Sequence, residues 1–187
     1  MRAFVALPCP PKLRAALHEV LTGWRRMRAP IRWSATEQIH LTLRFLGDDV
    51  DRDRLGRLDA GLARAAAAGA PLAVRPGATG AFPGWRRPRV LWLGLEDRGG
   101  LADLARRVEA AAREAGFPAD ERPFTAHLTL GRVKAQRGLD EIVGELRAWR
   151  PDTGEETLDE LILYRSQLGP GGARHEPVKR HRLGGVG

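Results

Sequence analysis

The chain has 187 residues with 43 % hydrophobic content, which suits one domain or two small lobes sharing a core. Thirty-one Lys and Arg against 23 Asp and Glu give a net charge of +8, a balance that points to a polyanionic partner, a nucleic acid or a nucleotide. No run reaches membrane-spanning length, the N-terminal apolar run is broken by Pro8 and Pro10, and the lone Cys9 excludes an internal disulfide or a cysteine metal cluster; a cytoplasmic monomer without membrane association is expected.

In chain order, Ala3–Leu7 reads as a strand, and Lys12 to about Arg28 as a helix with Leu13, Leu17, Val20, Leu21 and Trp24 on a helical spacing. A second strand covers Ile39–Leu46, a helix runs from Asp53 to about Ala68, and Leu72–Val74 and Gly80–Phe82 close the first half as short strands. The second half repeats the order. A strand at Val90–Leu95 precedes a helix from Leu101 to about Glu114, ended by Gly116 and Pro118, then a strand at Ala126–Val133, a helix from Leu139 to about Trp149 and a strand over Leu158–Tyr164. The fold class is therefore α+β, a duplicated β-α-β-α-β unit with pseudo-repeat halves of about 1–82 and 88–183 in one bilobal domain. Pro76–Pro88 is rich in Gly and Pro and is expected to form a loop over the site. Gly169-Pro170-Gly171-Gly172 reads as a turn, Ala173–Leu183 as a last extended segment, and Gly184–Gly187 as disordered.

The tetrapeptide His-Leu-Thr-Leu occurs twice, at His40–Leu43 and His127–Leu130, in a chain with five histidines. Side chains two apart on a strand share a face. His40 and Thr42 therefore point one way and Leu41 and Leu43 the other, and His127 and Thr129 oppose Leu128 and Leu130 in the same manner. Two such strands facing each other assemble two imidazoles and two hydroxyls, a set suited to acid–base chemistry on a phosphate. A duplication in which both histidines merely pack is the bland alternative; it gives no reason for a polar pair on one face in both copies. By period two Arg44 joins His40 and Thr42, whereas the aim of Arg132 depends on where its strand ends. Thr is a weak metal ligand and neither motif holds a carboxylate, so no metal and no cofactor is expected. The basic stretches Arg25–Arg28, Arg86–Arg89 and Arg174–Arg182 are candidate nucleic-acid contacts or equally a solvated surface, and Trp85, with Phe82 and Trp33, is a candidate for stacking on a base.

With both motif strands in place, the chain resembles the two-histidine phosphoesterases, and among them the RNA 2′,3′-cyclic phosphodiesterases, also called 2′-5′ RNA ligases. The resemblance spans nearly the whole chain: Arg2–Pro8, Arg32-Trp33 through Gly47, Phe82-Pro83 with Pro88–Gly94, Phe124–Arg132, and Leu161–Ser166 before the Gly-rich turn. Two departures stand out. Ala126 replaces a Pro often found before the second histidine, and His175 stands near where the family often has Tyr. The resemblance implies two antiparallel-rich sheets around a central cleft and metal-independent hydrolysis of an RNA 2′,3′-cyclic phosphate to a 2′-phosphomonoester. It also implies a possible reverse 2′-5′ ligation, as of tRNA halves. It favours His40 as general acid and His127 as general base, with Thr42 and Thr129 donating to the phosphoryl oxygens and Arg132, Arg44, Trp85 and Phe82 as substrate contacts. Alternatives are a phosphodiesterase on a small cyclic or 2′-5′ linked nucleotide, a non-catalytic RNA-binding module of the same fold, and, least supported, a metal-dependent hydrolase.

Overall fold

The computed structural model describes residues 1–169 and 172–185. Its elements run β1 (Arg2–Pro8), α1 (Pro11–Arg26), β2 (Ile31–Trp33), a 3-10 turn at Thr36–Gln38, β3 (His40–Gly47), α2 (Arg52–Ala67), β4 (Leu72–Phe82), β5 (Val90–Glu96), α3 (Gly100–Glu114), β6 (His127–Val133), α4 (Asp140–Ala148), β7 (Glu156–Leu158), β8 (Glu160–Gly169) and β9 (Gly172–Arg182). The expected turn at Gly169–Gly172 and the expected disordered tail lie partly outside the described residues, at Pro170, Gly171, Val186 and Gly187.

Local chemistry accounts for the helices. Proline starts α1, where a missing N–H costs nothing, and Leu13, Leu17, Leu21 and Trp24 bury one stripe. The Glu156 carboxylate of β7 accepts from the backbone N–H of Lys12 (2.8 Å) and Leu13 (2.9 Å), satisfying donors that a helix start leaves open. Asp51 caps α2 by accepting from Arg54 N–H at 2.8 Å, and Asp97 accepts from Leu101 N–H at 2.7 Å at the start of α3. Among the described residues no helix is long and apolar enough to cross a membrane.

The strands pair in the order β7-β4-β5-β6-β3-β1-β8-β9, with β2 also on β6. Every pairing is antiparallel. The two antiparallel-rich sheets expected are the arms β9-β8-β1-β3 and β6-β5-β4-β7 of one nine-stranded sheet, continuous among the described residues through the single β3–β6 register pair Leu41↔Leu128. The closing strands cross over: β4 follows α2 in sequence but pairs with β5, and β8 follows β7 but pairs with β1. The expectation of a loop over Pro76–Pro88 is corrected here. Leu72–Phe82 is one strand, a register shift between Pro76 and Thr79 absorbs the proline, and the connection to β5 is closed by Arg89 N–H donating to Phe82 O at 2.8 Å.

Both motif strands carry the same irregularity. Along β3, Thr42 pairs with Ala6 and Arg44 with Val5, so Leu43 is extra; along β6, Thr129 pairs with Trp92 and Gly131 with Leu91, so Leu130 is extra. A bulge puts two consecutive residues on one side of the sheet. Leu43 and Arg44 are accordingly both buried, as are Leu130 and Gly131. The phase then resumes with Phe45 and Arg132 on the histidine face.

The bulge overturns the expectation that Arg44 lies beside His40 and Thr42. Its guanidinium is buried toward α3, with Nε 2.6 Å from Glu109 Oε2 and Nη1 3.5 Å from Asp120 Oδ2. It also donates to Phe45 O at 2.6 Å and to Pro118 O. The Glu109 contact is close but not aligned as a hydrogen bond, so it holds as an ion pair. Arg44→Ala leaves Glu109 and Asp120 without their shared cation. The expected loss is roughly 2–4 kcal/mol, the lower part of the range for a broken buried pair because both carboxylates keep some solvent contact. Urea unfolding at neutral pH checks it, and a loss under about half a kcal/mol contradicts a structural role for Arg44.

Candidate active site

His40 and His127 each stand at the first residue of their strand, and each is tethered in the same way. His40 Nδ1 lies 2.7 Å from Gln38 O, and His127 Nδ1 lies 2.8 Å from Thr125 O. A carbonyl only accepts, so each Nδ1 carries the proton and each neutral ring keeps its lone pair on the distal Nε2. The Leu41↔Leu128 register sets His40 across from Thr129 and Thr42 across from His127. Each imidazole therefore lies beside the other motif's hydroxyl, in a near two-fold arrangement. Ser34 braces the second motif, donating from Oγ to Thr129 O at 2.9 Å and from N–H to Leu130 O at 2.8 Å.

Aromatic rings wall each histidine. On the first side Phe4 stacks on His40 at 4.6 Å between centroids, Tyr164 lies at 6.0 Å, and His175 meets His40 edge-on at 5.1 Å. On the second, Phe82 meets His127 edge-on at 5.0 Å and Trp92 lies at 6.1 Å. Trp92 can lie there because Gly80 opposes it: a Cβ at Gly80 would fall 2.1 Å from the indole. Burial pushes His40 down to about 4, against the Gln38 bond that raises it, with the nearby His175 and His127 lowering it further. Burial also lowers His127, against the Thr125 bond, and the charge of Arg132 adds to that lowering.

Of the expected site residues, the fold brings together His40, Thr42, His127, Thr129, Phe82 and Arg132, the last delivered to the histidine face by the bulge. It does not bring Arg44, held at α3, nor Trp85, which packs against the core with Arg147 over its ring at 6.0 Å. Trp33 is likewise core, stacked on Trp24 at 5.6 Å. Phe4, Tyr164, Trp92, His175 and the tethers at Gln38 and Thr125 are additions. The tethers had a faint signal, since both sit two residues before a motif histidine. The ring contacts had none, because they depend on strand order. Among the described residues there is no cluster of three or more His, Cys, Asp and Glu able to hold a metal ion.

The chain is similar to known proteins over nearly its whole length. The family model described as the 2′-5′ RNA ligase superfamily matches residues 10–170. An RNA 2′,3′-cyclic phosphodiesterase of Methanothermobacter thermautotrophicus is 31 % identical over 186 residues, covering 98 % of this chain and 99 % of that protein. Among solved structures, TT0787 of Thermus thermophilus is 30 % identical with a TM-score of 0.79, covering 99 % of both chains. LigT of Escherichia coli complexed with 3′-AMP is 28 % identical with a TM-score of 0.73, covering 97 % of both chains.

The histidine environment sets a pH dependence. Between the ordinary value of 6.5 and about 4, the unfolded chain protonates at His40 while the folded chain does not, so stability falls as pH drops through that window. A titration of the His40 ring by NMR is expected to give a midpoint near 4 in the free protein, and His40→Phe should flatten the stability slope over the same window. A midpoint at or above 6.5 contradicts the burial of the ring described here.

Proposed function

The chain belongs to the 2′-5′ RNA ligase superfamily, and from that premise and the site we propose that it hydrolyses an RNA 2′,3′-cyclic phosphate to a 2′-phosphomonoester. The observation that carries this reading is the pair of carbonyl-tethered imidazoles, each set beside the other motif's threonine. Ring opening needs a base for water on one side of phosphorus and an acid for the departing 3′ oxygen on the other. His127 is assigned as base and His40 as acid, following the family resemblance. Thr42 and Thr129 donate to the phosphoryl oxygens as charge builds on them. Imidazole supplies both proton transfers, so the step needs no metal. His40 is neutral in the free protein near pH 7, and the incoming phosphate anion favours its protonation, which couples substrate binding to proton uptake.

The distribution of charge supports a polynucleotide rather than a small nucleotide. Many arginines are neutralised in ion pairs with acids, as at Arg54, Arg64, Arg75, Arg106 and Arg180. Arg25, Arg26, Arg28, Arg86, Arg87, Arg89 and Arg132 are exposed and make no ion pair among the described residues. Of these, Arg89 and Arg132 meet at the C-terminal end of β6, where Arg32 of β2 joins them. Arg132 on β6 faces Arg32 of β2 and Val90 of β5 in the ladder, Arg89 O accepts from Val133 N–H at 2.9 Å, and Arg25 donates to Ser34 O at 2.8 Å. This is the His127 side, from which the nucleophile comes. A water molecule needs no basic surface there, whereas an RNA bringing a 5′-hydroxyl does. The 2′-5′ joining of RNA ends, such as tRNA halves, is therefore the reverse reaction assigned to the same site.

Incubation with an RNA ending in a 2′,3′-cyclic phosphate, with EDTA present, is expected to give a terminal 2′-phosphate; a 3′-phosphate or no product contradicts the reading. His40→Ala and His127→Ala should each lower kcat by several orders of magnitude with the fold intact, because the two act as a unit. Thr42→Val and Thr129→Val keep the β-branched shape and should each cost about 2–4 kcal/mol, mainly in kcat. Replacing Arg86, Arg87 and Arg89 with Ala should flatten the salt dependence of RNA binding, since each lost phosphate contact removes counterion release. An unchanged salt slope places the RNA elsewhere.

A further inference from the structure

One row of side chains beside His40 has no part in the chemistry above. Arg2 of β1 pairs with Ser166 of β8, and Ser166 with His175 of β9. One rung along, Phe4 and Tyr164 stack on each other at 5.2 Å and reach His40. Residues two apart share a face, so Arg2 and Ser166 lie on the face that bears His40. His175 is seen there directly, its ring 4.9 Å from Phe4 and 5.1 Å from His40. Its backbone N–H donates to Gln38 Oε1 at 2.7 Å, which ties β9 to the same residue whose carbonyl holds His40.

Two polar atoms in this row are buried without a hydrogen-bond partner among the described residues. One is Ser166 Oγ, on a residue 7 % exposed, and the other is His175 Nδ1. An unpaired buried polar group is costly, so two on adjacent strands are groups that a seated ligand can satisfy. The third member is a cation. Arg2 lies 4.7 Å over the Phe45 ring, and its charge lowers the His175 pKa together with the larger effect of burial. Arg2 Nη1 donates to Asp48 at 2.6 Å, but Asp48 is largely exposed and a guanidinium has five N–H donors. A guanidinium, a hydroxyl and an imidazole N–H set in a row make a site for an anion.

We propose that Arg2, Ser166 and His175 bind the phosphate on the 5′ oxygen of the ribose that carries the cyclic phosphate. This rests on the assignment of His40 as acid at the 3′ oxygen, which places the ribose on the His40 side with its 5′ phosphate directed past that ring. The row fixes the substrate class as an RNA terminus or 5′-phosphorylated nucleotide, distinct from a bare nucleoside 2′,3′-cyclic phosphate. His175 and Ser166 act here as specificity residues and take no proton in the reaction.

The test compares two substrates that differ in this phosphate alone, cytidine 2′,3′-cyclic phosphate with and without a 5′-phosphate, on the full chain. The wild type should prefer the 5′-phosphorylated substrate in kcat/KM by about tenfold or more, the worth of one or two hydrogen bonds to a charged group. Ser166→Ala and His175→Phe, which keep volume and ring packing, should each lower that ratio several-fold, and with Arg2→Gln added should bring it to about one. His175→Asn, which returns an N–H near the Nδ1 position, should recover part of the ratio, a rescue that a packing role does not give. A wild-type preference that survives all three substitutions overturns the subsite while leaving hydrolysis, and so the proposed function, intact. Hydrolysis of neither substrate overturns the function and the subsite with it.

Discussion

Leu41 and Leu128 pair where β3 meets β6, and the site depends on the register of that pair. A slip of one residue in an antiparallel ladder exchanges the faces of a whole strand. A slip here turns the imidazoles and hydroxyls into the leucine core and the leucines into the cleft. The core itself resists this, because Leu41 and Leu128 are both fully buried, and with Leu43 and Leu130 they belong to the same cluster as Leu17 and Leu21 of α1 and Leu104 and Val108 of α3. Hydrophobic burial on one face thus holds the chemistry on the other. The crossing of β4 and β8 into the opposite sheets adds to this, since neither half can move far without carrying a strand of the other.

The shared bulge is the second constraint. An uninterrupted strand would send Arg44 into the cleft and Arg132 away from it. The extra residue at Leu43 and Leu130 reverses both. In the first half the displaced arginine becomes an internal cation for Glu109 and Asp120. In the second the corresponding position is Gly131, which leaves no side chain to bury, and Arg132 follows on the histidine face. One backbone device therefore separates an arginine buried among carboxylates from one exposed on the histidine face in two strands of nearly identical sequence.

The two tetrapeptides, the four helices and the motif strands were readable because periodicity and repetition are local properties, whereas the short strands Ile31–Trp33 and Glu156–Leu158 offered no period to read. The duplicated β-α-β-α-β order was legible in those elements, whereas the antiparallel sheets came with the family resemblance. The aim of Arg44 was not readable, since a bulge is a property of a strand pair and neither strand alone announces it. The continuity of β4 through Pro76 was hidden for the same reason: a proline and two glycines read as a loop until a neighbouring strand accommodates them. Trp85 and Trp33 show the limit of composition, because an aromatic beside arginine reads alike whether it stacks on a base or on another tryptophan.

Burial of the histidines opposes the charge that acid catalysis requires, and the carbonyl tethers resolve this opposition in a particular way. A hydrogen bond from Nδ1 to a backbone oxygen favours the protonated ring, but burial outweighs it at His40, which stays neutral in the free protein near pH 7. The phosphate of a bound substrate brings the missing counter-charge. Under the proposed assignment of His40 as acid, protonation follows from binding, and the acid forms where the leaving oxygen is already placed. A permanently charged histidine in the same position would attract any anion. A neutral one, walled by Phe4, Tyr164 and His175, selects for ligands that supply both the negative charge and the shape to occupy that wall.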